Sequence, residues 1–239
     1  MKKLISGNEA TAQGVWEAGV SFAAAYPGTP STEILENLAL FKDDVIAEWA
    51  PNEKVVLESA IGASIAGARA LSSMKMVGVN VAADPLFSFA YSGVTGGLVL
   101  VSGDDPGMHS SQNEQDNRHY APFAKIPMLE LSDSQECRDM MRTAFEISEN
   151  FDLPLLFRMT TRVCHSKGLV KPGERAETPY KPYVKNLAKF NLVPATSRKL
   201  RVELETKLER LAEFSETCEF NRVEWHGSKI GIVTSGVGY

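Results

Sequence analysis

Apolar positions recur along the chain with two different periods. Over residues 8–24, Ala10, Val15, Ala18 and Phe22 stand at near-helical spacing and predict a helix. Tyr26-Pro27-Gly28-Thr29-Pro30-Ser31-Thr32 reads as a turn into a second helix. Thr29 fits its N-cap, and Pro30 its first position, where a missing N–H costs nothing. Ile34, Leu35, Leu38 and Phe41 follow as the apolar face. Residues 45–49 read as a short strand, and 53–71 as a helix rich in small side chains between Ala60 and Ala70. Apolar runs at 76–81, 98–102, 128–131 and 153–158 have strand length and little alternation, as strands buried on both faces of a parallel sheet do. Ser132 or Asp133 can cap a helix reaching about Asn150. Strands alternating with helices predict an α/β fold with a parallel sheet.

The pattern then changes. Residues 166–198 carry Pro172, Pro179, Pro182 and Pro194 among scattered lysines, without a period, and read as an extended connector. Over 199–217, Leu200, Leu204, Leu208, Leu211 and Phe214 share one face, and Glu203 with Lys207 forms an i, i+4 pair. This amphipathic helix either packs on its own domain or docks a partner. Residues 229–236 read as the first strand and glycine turn of another unit. The expected organisation is one α/β domain over 1–166, a connector with a helix over 167–227, and the start of a next α/β domain, cut short, over 228–239.

Composition narrows the classes. A chain of 239 residues has room for a real core, and its net charge of −5 speaks against a nucleic-acid partner. The longest charge-free run, between Asp84 and Asp104, is broken by Pro85, Gly93, Gly96 and Gly97 and predicts no membrane span. The basic start lacks the apolar stretch of a signal peptide. Cys137, Cys164 and Cys218 are scattered and form no CxxC, so neither zinc nor an iron–sulfur cluster is expected on this stretch. Few, dispersed cysteines fit a reducing, cytoplasmic compartment.

Three places could carry chemistry. The turn at 26–32 offers a hydroxyl and N–H groups at a helix start, which suit a carboxylate, although spacing alone favours a plain helix cap. Asn52-Glu53 opens the small-residue helix with a carboxylate favoured by the helix dipole, or simply with a solvated first-turn glutamate. Glu58, five residues on, interrupts an otherwise apolar stretch. The third place is the polar run from His109 to His119, which lies beyond the carboxyl end of a strand, where parallel-sheet proteins bind ligands. No nucleophile elbow surrounds Ser110; His109, His119 and His165 lack metal-ligand spacing; no phosphate loop is present.

Taken together, these stretches carry a resemblance. Tyr26-Pro27-Gly28-Thr29-Pro30-Ser31-Thr32-Glu33 resembles the Tyr-Pro-x-Thr-Pro-Ser segment of the 2-oxoacid:ferredoxin oxidoreductases. Asn52-Glu53 followed by Ile61-Gly62-Ala63-Ser64-Ile65-Ala66-Gly67 resembles their helix bearing the thiamine-activating glutamate. Gly78-Val79-Asn80-Val81-Ala82-Ala83-Asp84-Pro85 and Ser110-Ser111-Gln112-Asn113-Glu114-Gln115-Asp116-Asn117-Arg118 are similar to the indolepyruvate branch, in its alpha (large) subunit. The likeness covers about 6–166, thins, and resumes at 229–239.

The resemblance implies a pyrimidine-binding domain of the thiamine diphosphate fold. It implies oxidative decarboxylation of aryl 2-oxoacids to aryl-acetyl-CoA, with coenzyme A as co-substrate and electrons passing to ferredoxin. Residue by residue it implies Glu53 as the catalytic carboxylate, since it stands eight positions before Ile61, and leaves Glu58 structural. Tyr26, Pro27, Gly28 and Gly78 join Glu53 as cofactor-binding residues. Thr29 matches the threonine that meets the substrate carboxylate, and Gln112 and Arg118 are candidates for the substrate pocket. No metal ligand is expected on this chain. The Gly-Asp-Gly and Asn-Asn motif that holds magnesium and diphosphate, and the cysteine-rich segment for [4Fe-4S] clusters, are not in this sequence. The resemblance puts them outside it, with a beta subunit as partner, so the chain alone is expected to be inactive. It departs from the family in having Met76 where members carry histidine. Residues 98–102 also lack the arginine that holds the carboxylate in pyruvate-specific relatives. The alternative is a non-catalytic docking or regulatory module.

Overall fold

β1 (Lys3–Ser6) runs straight into α1 (Gly7–Glu17) because Ser6 and Glu9 exchange hydrogen bonds. Ser6 Oγ accepts the Glu9 amide at 3.2 Å, and Glu9 Oε2 accepts the Ser6 amide at 2.7 Å. The structure, a computed structural model, describes residues 1–178, 181–227 and 229–239. β2 (Phe22–Ala25), α2 (Thr32–Leu38), β3 (Ile46–Trp49), α3 (Glu53–Ile65), β4 (Ala70–Lys75) and α4 (Met76–Val81) follow. α5 (Ala83–Ser92) and β5 (Leu98–Asp104) come next; a loop leads on to α6 (Tyr120–Ala124), β6 (Met128–Glu130) and α7 (Ser134–Phe151). The chain continues through β7 (Leu155–Thr160), α8 (Thr161–His165), β8 (Lys167–Val170), α9 (Leu187–Phe190) and α10 (Pro194–Thr217).

Six strands form one parallel sheet in the order β3-β2-β4-β5-β7-β6, while β1 and β8 pair as an antiparallel ribbon. Side chains of successive strand residues enter opposite layers. Val99 and Val101 join α1, α2 and α7 on one face; Leu98 and Leu100 join α3, α5 and α6 on the other. The chain leaves β2 toward β3 through α2, then returns to place β4 on the other side of β2, and leaves β4 toward β5. The connections therefore diverge at the carboxyl ends of β2 and β4, where a doubly wound sheet opens a crevice.

Several local expectations need correction. The first helix stops at Glu17, and Phe22 belongs to β2. The second starts at Thr32, so Thr29 is not its N-cap and Pro30 not its first residue; the Thr29–Pro30 peptide is cis. The third ends at Ile65: Gly67 turns at φ +103°, and Ala70 already starts β4. Residues 76–81 form α4, not a strand, because β4 fills that place in the sheet. A six-residue, mostly apolar run is too short for a period that separates the two. Residues 167–170 pair with β1, Lys3 opposite Val170 and Ser6 opposite Lys167, within what reads as connector. Among the described residues, 229–236 carry no strand, only a single-turn helix at Gly236–Gly238. Pro179 of the expected connector and Ser228, where the last unit was expected to begin, lie outside the described residues.

The connector has a definite path. Arg175 donates to the Trp16 and Val20 carbonyls at 2.7 and 3.0 Å, and Thr178 Oγ1 to that of Gly19 at 3.0 Å. The Lys181 carbonyl lies against Gly67, leaving no room for a Cβ. Lys189 Nζ donates to the Val94 carbonyl at 2.6 Å and to Asp152 at 2.7 Å. These points precede β2, β4, β5 and β7, so the connector runs as a strap along the amino edge of the sheet. α10 then packs on its own domain: Leu200 and Leu204 are buried, and Phe214 meets the Phe151 ring at 5.4 Å.

Candidate active site

β3 ends at Trp49, and Asn52 starts α3 by accepting the Val55 amide on Oδ1 at 3.0 Å. This puts Glu53 in the first turn, at the carboxyl edge of the sheet. β2 lies between β3 and β4, so the Glu53 side chain reaches across the end of β2 to α4. There it meets Gly78. A Cβ on Gly78 would sit 2.6 Å from Glu53 Cγ and 2.7 Å from its Oε1, so any larger residue would displace the carboxylate from this position. Glu53 is half-buried, and no hydrogen bond or ion pair engages its side chain among the described residues. Glu58 is exposed and faces Lys54 at 3.8 Å. A carboxylate enclosed on one side and without a partner is a ready acceptor for a nitrogen-bearing ring.

The turn after β2 closes on itself. Gly28 donates its amide to Thr32 Oγ1 at 2.9 Å, and its carbonyl accepts the Ser31 amide at 3.0 Å and the Ser31 hydroxyl at 3.2 Å. Asn8 Nδ2 ties the turn to α1 through the Pro30 carbonyl at 2.7 Å. Tyr26 packs against the layer that holds α3 and α5, while Pro27 and Thr29 stay exposed. A Cβ on Gly28 would lie 3.1 Å from Lys75 Cβ, which brings this turn against the end of β4.

The loop after β5 is pinned by two adjacent buried aspartates. Asp105 accepts the Ser110 amide at 2.8 Å, the Ser111 hydroxyl at 2.6 Å and the Thr161 hydroxyl at 2.8 Å. Burial alone would push its pKa up; these donors outweigh it and hold the carboxyl well below the usual range. Asp104 goes the other way: burial raises its pKa despite Arg158, whose Nε donates to it at 2.8 Å. Arg158 also donates to Glu130 and lies 3.8 Å from Asp116. Arg118 pairs with Asp116 at 2.7 Å, and this hydrogen bond leads in lowering the Asp116 pKa to about 2. Asn117 donates its side-chain amide to the Met76 carbonyl at 3.0 Å, and Met76 Sδ accepts the Asp105 amide at 3.4 Å.

The sequence candidates thus divide. Glu53 and Gly78 touch, and Tyr26, Pro27, Gly28 and Thr29 form the neighbouring turn. Arg118 is engaged by Asp116, and Gln112 is exposed on the loop. Lys75, Asp104, Asp105 and Arg158 escaped the sequence reading. An arginine inside the apolar run 153–158 was the one available signal. Among the described residues no group of three or more His, Cys, Asp or Glu could hold a metal ion, and no helix is long and apolar enough to cross a membrane. Cys137 and Cys164 are buried, and burial pushes both thiols up.

A parallel sheet of this order, with its crevice at the switch point, matches a known class. The chain belongs to the pyruvate flavodoxin/ferredoxin oxidoreductase family, in its thiamine diphosphate-binding part, whose model matches residues 13–207. Among its relatives is indolepyruvate oxidoreductase subunit IorA of Archaeoglobus fulgidus, 46% identical over 100% of this chain and 40% of that protein. The subunit of the same description from Methanothermobacter marburgensis is 48% identical over 96% of this chain and 38% of its own length. The chain thus spans about 40% of the length of the curated relatives it matches. A solved 2-oxoglutarate:ferredoxin oxidoreductase from Magnetococcus marinus, with 2-oxoglutarate, coenzyme A and succinyl-CoA bound, has the same fold. Its TM-score is 0.72 at 18% identity, over 89% of this chain and 45% of that one.

Proposed function

We propose that this chain supplies the pyrimidine-side half of the thiamine diphosphate site in an indolepyruvate:ferredoxin-type oxidoreductase. The enzyme takes an aryl 2-oxoacid and coenzyme A to aryl-acetyl-CoA and carbon dioxide, and passes two electrons to ferredoxin. The carrying observation is the Glu53 carboxylate, without a partner among the described residues and pressed against Gly78 at the switch point. Its donor set fits the cofactor, because a ring bearing N–H groups needs an acceptor held out of bulk water. When bound, thiamine diphosphate supplies the carbon that adds to the 2-oxo group and accepts the electrons freed on decarboxylation.

The chain's own residues do the rest. Glu53 accepts a hydrogen bond from the ring and holds or moves the proton there, which is general acid–base work. Gly78 keeps room for that carboxylate, and Tyr26, Pro27 and Gly28 line the same edge. Thr29 meets the substrate carboxylate, with Gln112 and Arg118 at the rim. Magnesium, the diphosphate and the [4Fe-4S] clusters fall to protein outside this chain, including a beta subunit.

The test compares Glu53→Gln with Glu58→Gln in the assembled enzyme. Glu53→Gln is expected to cut turnover by about 100-fold or more, the range of a lost acid–base group, without changing the unfolding temperature. Glu58→Gln, an exposed site, is expected to keep turnover within about twofold. Full activity of Glu53→Gln, or the reverse ranking, would refute the assignment.

A further inference from the structure

Lys75 is the last residue of β4 and stands between the two loops that frame the crevice. Its stem packs on the β2 turn at Gly28, and its Nζ donates at 2.6 Å to the Ser110 carbonyl. That carbonyl is itself fixed, because the Ser110 amide and Ser111 hydroxyl are held by Asp105. The nearby cations are spent on carboxylates: Lys54 on Asp84 and Glu58, Arg118 on Asp116, Arg158 on Asp104 and Glu130. Lys75 has none within ion-pair reach among the described residues; its one partner is a neutral carbonyl. An ammonium has three donors, so two remain. Thr29, next to Gly28, also has a side-chain hydroxyl without a partner among the described residues.

The other flank matters as much. Gly78, which receives Glu53, lies three residues beyond Lys75, about one helical turn or roughly 5 Å along α4. One short helix therefore offers a cation at its start and the base's contact point a turn later. A 2-oxoacid carries a carboxylate next to its reacting carbonyl, so a cation in the crevice, packed on the turn that carries Thr29, suits that molecule.

We propose that Lys75, packed on the turn that carries Thr29, binds the carboxylate of the substrate 2-oxoacid and so selects acids over neutral carbonyl compounds. The proposal rests on the function given above. The Ser110 carbonyl orients the ammonium, and the Asp105 anchor fixes the Ser110 carbonyl. A lysine here is a point charge on a flexible stem, so it does not dictate the plane of the carboxylate as an arginine fork would.

The experiment uses the assembled enzyme carrying Lys75→Met or Lys75→Arg. Two unreactive probes, indole-3-propionate and its neutral amide, are titrated calorimetrically, and KM is measured for indolepyruvate and for coenzyme A. Lys75→Met is expected to weaken indole-3-propionate, and to raise KM for indolepyruvate, by about 10- to 100-fold, the worth of one charge-assisted hydrogen bond. Binding of the amide, KM for coenzyme A and affinity for thiamine diphosphate are expected to stay within about twofold, and Lys75→Arg to recover part of the loss. Unchanged indole-3-propionate binding in Lys75→Met overturns the proposal. A loss confined to coenzyme A or to thiamine diphosphate overturns it too, since the anion would then be a phosphate. A wild-type enzyme that turns over no aryl 2-oxoacid removes the functional reading and this proposal together. An active wild type with an unaffected Lys75→Met removes this proposal alone.

Discussion

Asp104 and Asp105 are neighbours in sequence with opposite electrostatics. Asp105 is stabilised in its charged form, so its contribution to stability is present above the ordinary carboxylate pKa of about 4 and disappears as pH falls through the lower folded value. Asp104 has a raised pKa, so its contribution is present below that ordinary value and disappears as pH rises through the folded one. Asp105→Asn is therefore expected to be less stable than wild type at pH 7 by about 1–3 kcal/mol, the worth of the bonds to a charged group. Urea unfolding should show the gap narrowing steadily between pH 5 and pH 2; a constant gap would mean that the carboxylate's charge has no part in it. Neither aspartate could be singled out from the chain, where Gly103-Asp104-Asp105-Pro106-Gly107 reads simply as a turn. Two of their partners, Arg158 and Thr161, stand more than fifty positions away. The position of Glu53 in the first turn of α3 was legible locally, from the capping asparagine before it; the role proposed for it came from the resemblance. Lys75 was not, since its meaning depends on which cations already have carboxylates.

Elements with their own start signals were the readable ones. α7 begins where the chain offers Asp133, whose side chain accepts the Glu136 amide at 2.8 Å, and it runs 18 residues with one apolar face on the sheet. Asp133→Ala is expected to cost about 1 kcal/mol and to lower Tm by roughly 2–4 °C, measured by calorimetry. No shift in Tm would show that the helix is held by packing alone. α4 was unreadable for the converse reason: Met76–Val81 has no capping side chain and is too short to show a period. β1 is only four residues long, and its partner strand lies at the other end of the domain, so nothing near it in sequence marks it as paired.

At the scale of the whole molecule, chemistry and restraint occupy opposite edges of the sheet. The carboxyl edge carries Glu53, Thr29, Lys75 and the loop after β5. The strap and α10 bind the amino edge, where Lys189 and Lys207 both reach Asp152, at 2.7 and 2.8 Å. The proline-rich composition announced an extended strap, but its route depends on backbone carbonyls of distant strands and left no pattern. Gly67 sits under the strap at φ +103°, with no room for a Cβ. Gly67→Ala is expected to lose about 1–2 kcal/mol and to speed hydrogen exchange over 171–178 and 181–189. Thiamine diphosphate binding by the assembled enzyme should be untouched, because the two edges share no contact at this position. Exchange unchanged over those segments would mean that Gly67 does not seat the strap.

The ribbon of β1 with β8 has a consequence for how the chain is made. Lys3 pairs with Val170 and Ser6 with Lys167, so β1 has no partner until the chain has been made through Val170. At about 5–20 residues per second on the ribosome, it waits roughly 10–30 s while the sheet between is assembled. β1 is thus made before all six central strands yet paired after them, and closure of the ribbon marks a domain whose central strands have all been delivered.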